Sequence, residues 1–205
     1  MKELLQLPAE FDYNLLMYAL RGYKKPKDKA RSLIQSQDII RVKKGIYVLG
    51  PGYNSPYNTH VLANMIYGPS YITGQTALSY WGLIPERVEQ VINMTFKRKK
   101  RFPTPVGDFS YLYCRKSVYP IGVKLENVGE GKKIFIASPE KALCDLVAVQ
   151  SHLRLKGDLK EFLDLMRLDD AFYEGCNHVL LDEISSRYGK PNVRRLTTHL
   201  RDIHV

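Results

Sequence analysis

The chain has 205 residues, of which 44% are hydrophobic, and a formal net charge of +10, which is an ordinary globular composition with length for one large domain or two smaller ones. The charge is uneven: residues 1–50 hold 10 basic and 5 acidic groups, 51–150 hold 12 and 7, and 151–205 hold 9 and 9. A basic first three quarters favours a polyanionic partner, while the lack of a bilayer-length apolar run and of a bulky Trp/Leu/Phe interfacial face argues against a membrane.

Apolar residues at 11, 15, 16, 19 and 20 predict a helix from Phe11 to Leu20 with one buried face. A second helix begins at Pro26, whose fixed φ suits a first helical position. Ala30, Leu33 and Ile34 give it an apolar stripe for docking on the first helix. At about 100° per residue, Lys25, Asp28, Ser32, Gln35 and Ser36 turn away from that stripe, with Lys29 and Arg31 on its flanks. Ile39, Ile40 and Val42 then alternate toward a strand, Lys43-Lys44-Gly45 makes a turn, and Ile46 to Leu49 returns.

Two helices and a hairpin predict a minimal winged helix-turn-helix over residues 1–50, with only Arg21 to Lys25 between the helices. Residues 24–44 hold eight Lys or Arg against Asp28 and Asp38. The residues expected to contact DNA are Lys25, Lys27, Lys29, Arg31, Ser32 and Gln35 in the helix, with Arg41, Lys43 and Lys44 in the hairpin. Ser32 and Gln35 suit base edges, Arg31 suits either role, and the lysines suit phosphates.

Gly50-Pro51-Gly52 and the turn formers up to Pro56 mark a junction, after which residues 57–205 read as a larger domain. Helices are expected over Thr59–Tyr67 and Gly74–Tyr80. Strands follow over Val88–Phe96, Phe109–Cys114, Val118–Leu125 and Lys133–Ile136, as an antiparallel sheet. Ser138-Pro139-Glu140 opens a helix through Gln150, with a capping hydroxyl, a first-turn proline and an acid favoured by the helix dipole. Helices over Asp158–Met166, Val179–Tyr188 and Asn192–Ile203 complete an α+β chain. The run Lys97-Arg98-Lys99-Lys100-Arg101 cannot be buried on either face of a strand, so it reads as a loop or exposed strand extension and as a second nucleic-acid patch.

Three stretches carry a resemblance. Pro69 to Glu86 (PSYITGQTALSYWGLIPE), Ile136 to Asp145 (IASPEKALCD) and the hairpin Ile40 to Tyr47 (IRVKKGIY) resemble the AbiEi antitoxins in order and spacing, over nearly the whole chain from about residue 10. The resemblance implies a bacterial type IV toxin-antitoxin component. Its winged helix would bind and repress the promoter of its own operon, and its larger domain would oppose a nucleotidyltransferase toxin without a stable complex, in abortive phage infection. On their own residues, the stretches around Ala77, Leu78 and Trp81, and around Ala142, Leu143 and Leu146, each place apolar side chains on one helical face and read as scaffold, with a contact role for Glu140 and Lys141 as the alternative.

Catalytic patterns are missing. Gly129-Glu130-Gly131-Lys132-Lys133 has Glu126 where a phosphate loop needs its first glycine and Lys133 where it needs Ser or Thr. There is no nucleophile elbow, and the five histidines and three cysteines show no metal-ligand spacing. The expectation is a non-enzymatic protein without cofactor or metal. The N-terminus lacks the apolar core of a signal peptide, so a cytoplasmic location is expected. An RNA-binding or protein-interaction factor that shields a toxin's substrate stands as the alternative.

Overall fold

A computed structural model describes residues 4–86, 88–153 and 155–203. The chain begins with β1 (Glu10–Asp12), α1 (Tyr13–Ala19), α2 (Pro26–Gln35), β2 (Ile39–Lys43) and β3 (Ile46–Leu49). The first predicted helix therefore starts later than its apolar spacing suggested, because Phe11 lies on a strand. Asp12 ends that strand and caps α1 by accepting from the Leu15 N–H at 2.8 Å. β1 and β2 flank β3 in an antiparallel three-stranded sheet, with Phe11 opposite Tyr47 and Ile40 opposite Val48.

The remainder contains α3 (Thr59–Ile66), β4 (Tyr71–Ile72), α4 (Gly74–Tyr80), β5 (Val91–Thr95), β6 (Lys100–Thr104), β7 (Gly107–Tyr113), β8 (Val123–Asn127), β9 (Lys133–Ala137), α5 (Pro139–Val149), α6 (Lys156–Met166), α7 (Asp170–Glu174), α8 (His178–Tyr188) and α9 (Pro191–Ile203). The six strands run in the order β6-β7-β5-β4-β9-β8. The sheet is mixed, not antiparallel: β4 pairs with β9 in parallel, and β5 with β7. The predicted strand pattern carried no direction, and β6, which comes between β5 and β7 in the chain, pairs outside β7 and lets those two run the same way. Tyr111 on one face donates to the Ala63 carbonyl of α3 at 2.6 Å, and Tyr71 on the other donates to Asp145 of α5 at 2.9 Å. The sheet is thus covered by α3 on one side and α5 on the other.

Two apolar clusters divide the chain at β3. Leu16, Leu20, Ala30, Leu33, Ile39, Tyr47 and Leu49 belong to the smaller one, whereas Val42, Ile46 and Val48 join the cluster that contains Leu62, Ala63 and Ile66. All four residues of β3 are buried, because alternate side chains of a strand enter opposite faces. Glu10 fastens the same junction. It accepts from the Asn58 backbone N–H, and its carboxylate lies 3.0 Å from Lys132 in the turn between β8 and β9.

A buried polar hub holds α5 to the sheet. Lys141 and Asp145, one helical turn apart and both with fully buried side chains, are 2.8 Å apart. Tyr71, Thr73 and Tyr188 all donate to the same carboxylate, and the Lys141 ammonium sits over the Tyr71 and Tyr188 rings. Burial, reinforced by Asp145, raises both tyrosine hydroxyls well above their ordinary value, which keeps them as donors. Gly122 is required beside the hub: its φ is +70°, and a Cβ there would meet Lys141 Cβ at 2.9 Å. Enclosure of this kind fits the scaffold reading of the S-P-E-K-A-L stretch.

Removing one member of an enclosed ion pair strands the other charge, at about 3–5 kcal/mol. Asp145→Ala is therefore expected to lose most of the protein's stability in urea denaturation. Lys141→Met combined with Asp145→Leu should recover a large part of it, and a double variant as unstable as the single one would contradict the stranded-charge account.

Burial also pushes the Cys114 and Cys176 thiols up to about 11. In the unfolded chain they ionise near ~8.5, so the unfolded state loses these protons first. Their stabilising contribution is complete below about pH 8.5 and disappears as pH rises toward about 11. The urea midpoint is expected to fall across that window, with a smaller fall for Cys176→Ser; a midpoint level up to about pH 10 would refute the assignment.

Candidate nucleic-acid interface

α2 is seated by Ala30 and Leu33, which are buried in the smaller core, with Ile34 half-buried beside them. Pro26 occupies its first turn, and Asp28 faces the positive end of the helix dipole. This seating turns Lys25, Lys27, Arg31, Ser32 and Gln35 out to solvent. Arg31 lies 3.9 Å from Asp28 in a highly exposed pair, too weak an interaction to withhold the guanidinium from a ligand. Lys29 is half-buried, with its ammonium 5.4 Å from the Tyr23 ring centroid.

In the following hairpin, Arg41 and Lys44 are exposed, and Gly45 closes the turn at φ +87°. Lys43 points the other way. It donates to the Ile66 carbonyl at 2.6 Å and lies 4.6 Å from the Phe102 ring centroid. Partial burial, and then the nearby Lys100, lower its pKa. Of the cations expected at phosphates, Lys43 thus differs from Lys44 in that its ammonium already serves an intramolecular carbonyl.

The second basic run spans the turn after β5 and the start of β6, and Lys100 and Arg101 sit on that edge strand. Lys97 donates to the Gly68 carbonyl at 2.6 Å. The Lys97 and Lys100 ammonium groups approach the Tyr67 ring at 5.6 and 5.1 Å, and Tyr67 packs against Phe102 and Tyr111. Arg98, Lys99 and Arg101 are exposed. A cleft of about 470 Å³ lies beside the strand, lined by Gln90, Lys99, Lys100, Arg101 and Ser110 among others.

The two basic segments, more than fifty residues apart in sequence, thus converge on the C-terminal end of α3. That end presents carbonyls without helical partners and the negative end of the helix dipole. Lys43 from the hairpin satisfies one of these carbonyls, Ile66, and Lys97 from the second run donates to the Gly68 carbonyl just beyond the helix, while Tyr67 and Phe102 support the stems and heads of the neighbouring lysines. Facing outward are α2's Lys25, Lys27, Arg31, Ser32 and Gln35, the hairpin's Arg41 and Lys44, and the whole run from Lys97 to Arg101, in which Lys97 and Lys100 are exposed while also leaning on the Tyr67 ring. The supporting residues Tyr67 and Phe102 were not singled out from sequence. Gly68-Pro69 marks where α3 stops, but no local signal ties residue 43 to residues 66 and 100.

Compared with models of known protein families and with curated protein sequences, the chain matches none of them. Among the described residues, no group of three or more His, Cys, Asp or Glu side chains is placed to hold a metal ion, and no helix is long and apolar enough to cross a membrane.

Lys43 and Lys44 give a direct test of this arrangement. Lys43→Met should remove about 1 kcal/mol of stability, lowering Tm by roughly 2–4 °C, while changing duplex affinity less than about twofold. Lys44→Ala should do the reverse, leaving Tm unchanged and weakening duplex binding. Equal effects of the two on affinity would restore Lys43 to the contact set.

Proposed function

We propose that this chain is a duplex-DNA-binding protein of the winged helix-turn-helix type that represses its own operon and serves as the antitoxin of a type IV toxin-antitoxin pair. The observation that carries the DNA part is the outer face of α2, where Arg31, Ser32 and Gln35 stand exposed together with Lys25 and Lys27. A helix presented this way fits the major groove, with Gln and Arg able to make paired hydrogen bonds to purine edges. The hairpin's Arg41 and Lys44 would meet the flanking backbone, and Arg98, Lys99 and Arg101 would extend the phosphate contacts.

The antitoxin part is supported by the motif resemblance around Pro69–Glu86 and Ile136–Asp145. On this reading the partner is operator DNA, and a nucleotidyltransferase toxin is the functional opponent without a stable complex. The chain then acts in the cytoplasm by binding, with no cofactor and no catalytic step of its own. Co-expression with the neighbouring reading frame tests this part. Growth arrest relieved by the chain supports it, and a neighbour harmless on its own removes it.

For the DNA part, a gel-shift titration of the full chain compares its own upstream region with a scrambled duplex at two salt concentrations. Selective binding is expected, with the logarithm of affinity falling by about 0.9 per neutralised phosphate for each tenfold rise in salt. Gln35→Ala should cost about 1–3 kcal/mol on the operator and little on scrambled DNA. Replacing Arg98, Lys99 and Arg101 by Ala should weaken both duplexes and flatten the salt slope. Binding that is equal on both duplexes and erased by salt would overturn the repressor reading and move the search to RNA.

A further inference from the structure

We infer that β8 is the docking strand for a second copy of this chain, pairing antiparallel about a two-fold axis at Leu125 so that the two six-stranded sheets become one. β8 lies at one end of the strand order. The Gly122 carbonyl accepts from Ser138 N–H, and Val128 N–H donates to Lys132. Even-numbered residues of β8 therefore exchange bonds with β9, and the N–H and C=O groups of Val123, Leu125 and Asn127 face outward.

The opposite edge is protected. β6 carries Lys100, Arg101 and Pro103, which discourage a further strand by charge and by a missing donor. β8 has no proline, and it places Leu125, 53% exposed, directly across from Phe135, 50% exposed. An apolar cross-strand pair beside an open edge is a site for strand addition.

The identity of the occupant comes from the charges. With Leu125 opposite its own copy, antiparallel pairing puts Lys124 across from the second copy's Glu126, and Glu126 across from its Lys124, on the same face. Val123 meets Asn127, and the outward backbone groups complete the ladder. Parallel pairing would instead bring like charges together. Opposite charges directly across strands stabilise and like charges destabilise, so the strand is complementary to itself in one orientation only. This inference does not rest on the DNA reading, although a two-fold dimer would suit an inverted repeat.

A five-residue strand pair is small against a standard interface of ~1,600 Å², so association should depend on concentration. Sedimentation velocity on the full chain from about 1 µM to about 0.1 mM is expected to show a monomer–dimer equilibrium. K124E and E126K, each alone, place like charges across the axis twice and should weaken dimerisation at least about tenfold. An equimolar mixture of the two variants should recover it, because each acidic strand then faces a basic one. A monomer at every concentration overturns the proposal, and so does a dimer that neither reversal weakens.

Discussion

One strand serves two cores. β3 is buried on both faces, with Tyr47 and Leu49 committed to the smaller cluster and Ile46 and Val48 to the larger. A one-residue register slip would exchange these sets, so the pairing of β3 with β1 and β2 also fixes how the two halves meet. The Glu10–Lys132 ion pair and the Glu10–Asn58 hydrogen bond close the same seam. Despite partial burial, which acts the other way, hydrogen bonds to Glu10 and Glu130 hold the Lys132 pKa above its ordinary value.

This fixed seam sorts the basic residues into two kinds. Lys43, half-buried, donates to the Ile66 carbonyl at the end of α3, where it offsets the helix dipole and holds the hairpin beside β6, and Lys97, although exposed, donates to the Gly68 carbonyl just beyond that helix. Lys44, Arg98 and Lys99 are exposed too. Adjacent residues in one charge run thus do different work, and a net positive charge counted along the sequence overstates what a phosphate backbone would meet. In the hairpin the difference between Lys43 and Lys44 follows from backbone geometry, which points the side chains of successive residues to different sides.

Sequence carried the local structure well where a single mechanism acts. Ser138 caps α5, Pro26 opens α2, and Ala30 and Leu33 face the core because capping, proline geometry and helical spacing are short-range effects. The parallel pairings of β4 with β9 and of β5 with β7 were not legible, since alternation of apolar residues says nothing about strand direction. β6 was legible only as one of two options, since Lys100 and Arg101 suit a loop or an exposed strand extension equally until the edge position explains why charge is tolerated on a strand there. Of the candidate site, the exposed face of α2 was readable from its 3.6-residue period, whereas the inward turn of Lys43 depends on residues 66, 100 and 102, far along the chain. Lys141 and Asp145 show the same limit: four-residue spacing puts them on one helical face, but only the tertiary arrangement of Tyr71, Thr73 and Tyr188 makes that face a buried hub.

The single tryptophan of the chain stands at an informative place. Trp81 Nε1 donates to the Ala137 carbonyl of β9 at 2.9 Å, and the Lys124 ammonium of β8 lies 5.1 Å from its ring centroid. A cation so close to an indole perturbs its emission, so the protein carries an intrinsic optical probe at its open sheet edge. Any ligand that draws Lys124 away from the ring, whether a facing carboxylate or an anion from solution, would register as a change in fluorescence without a label. Because no second indole contributes background, that signal would belong to this edge alone.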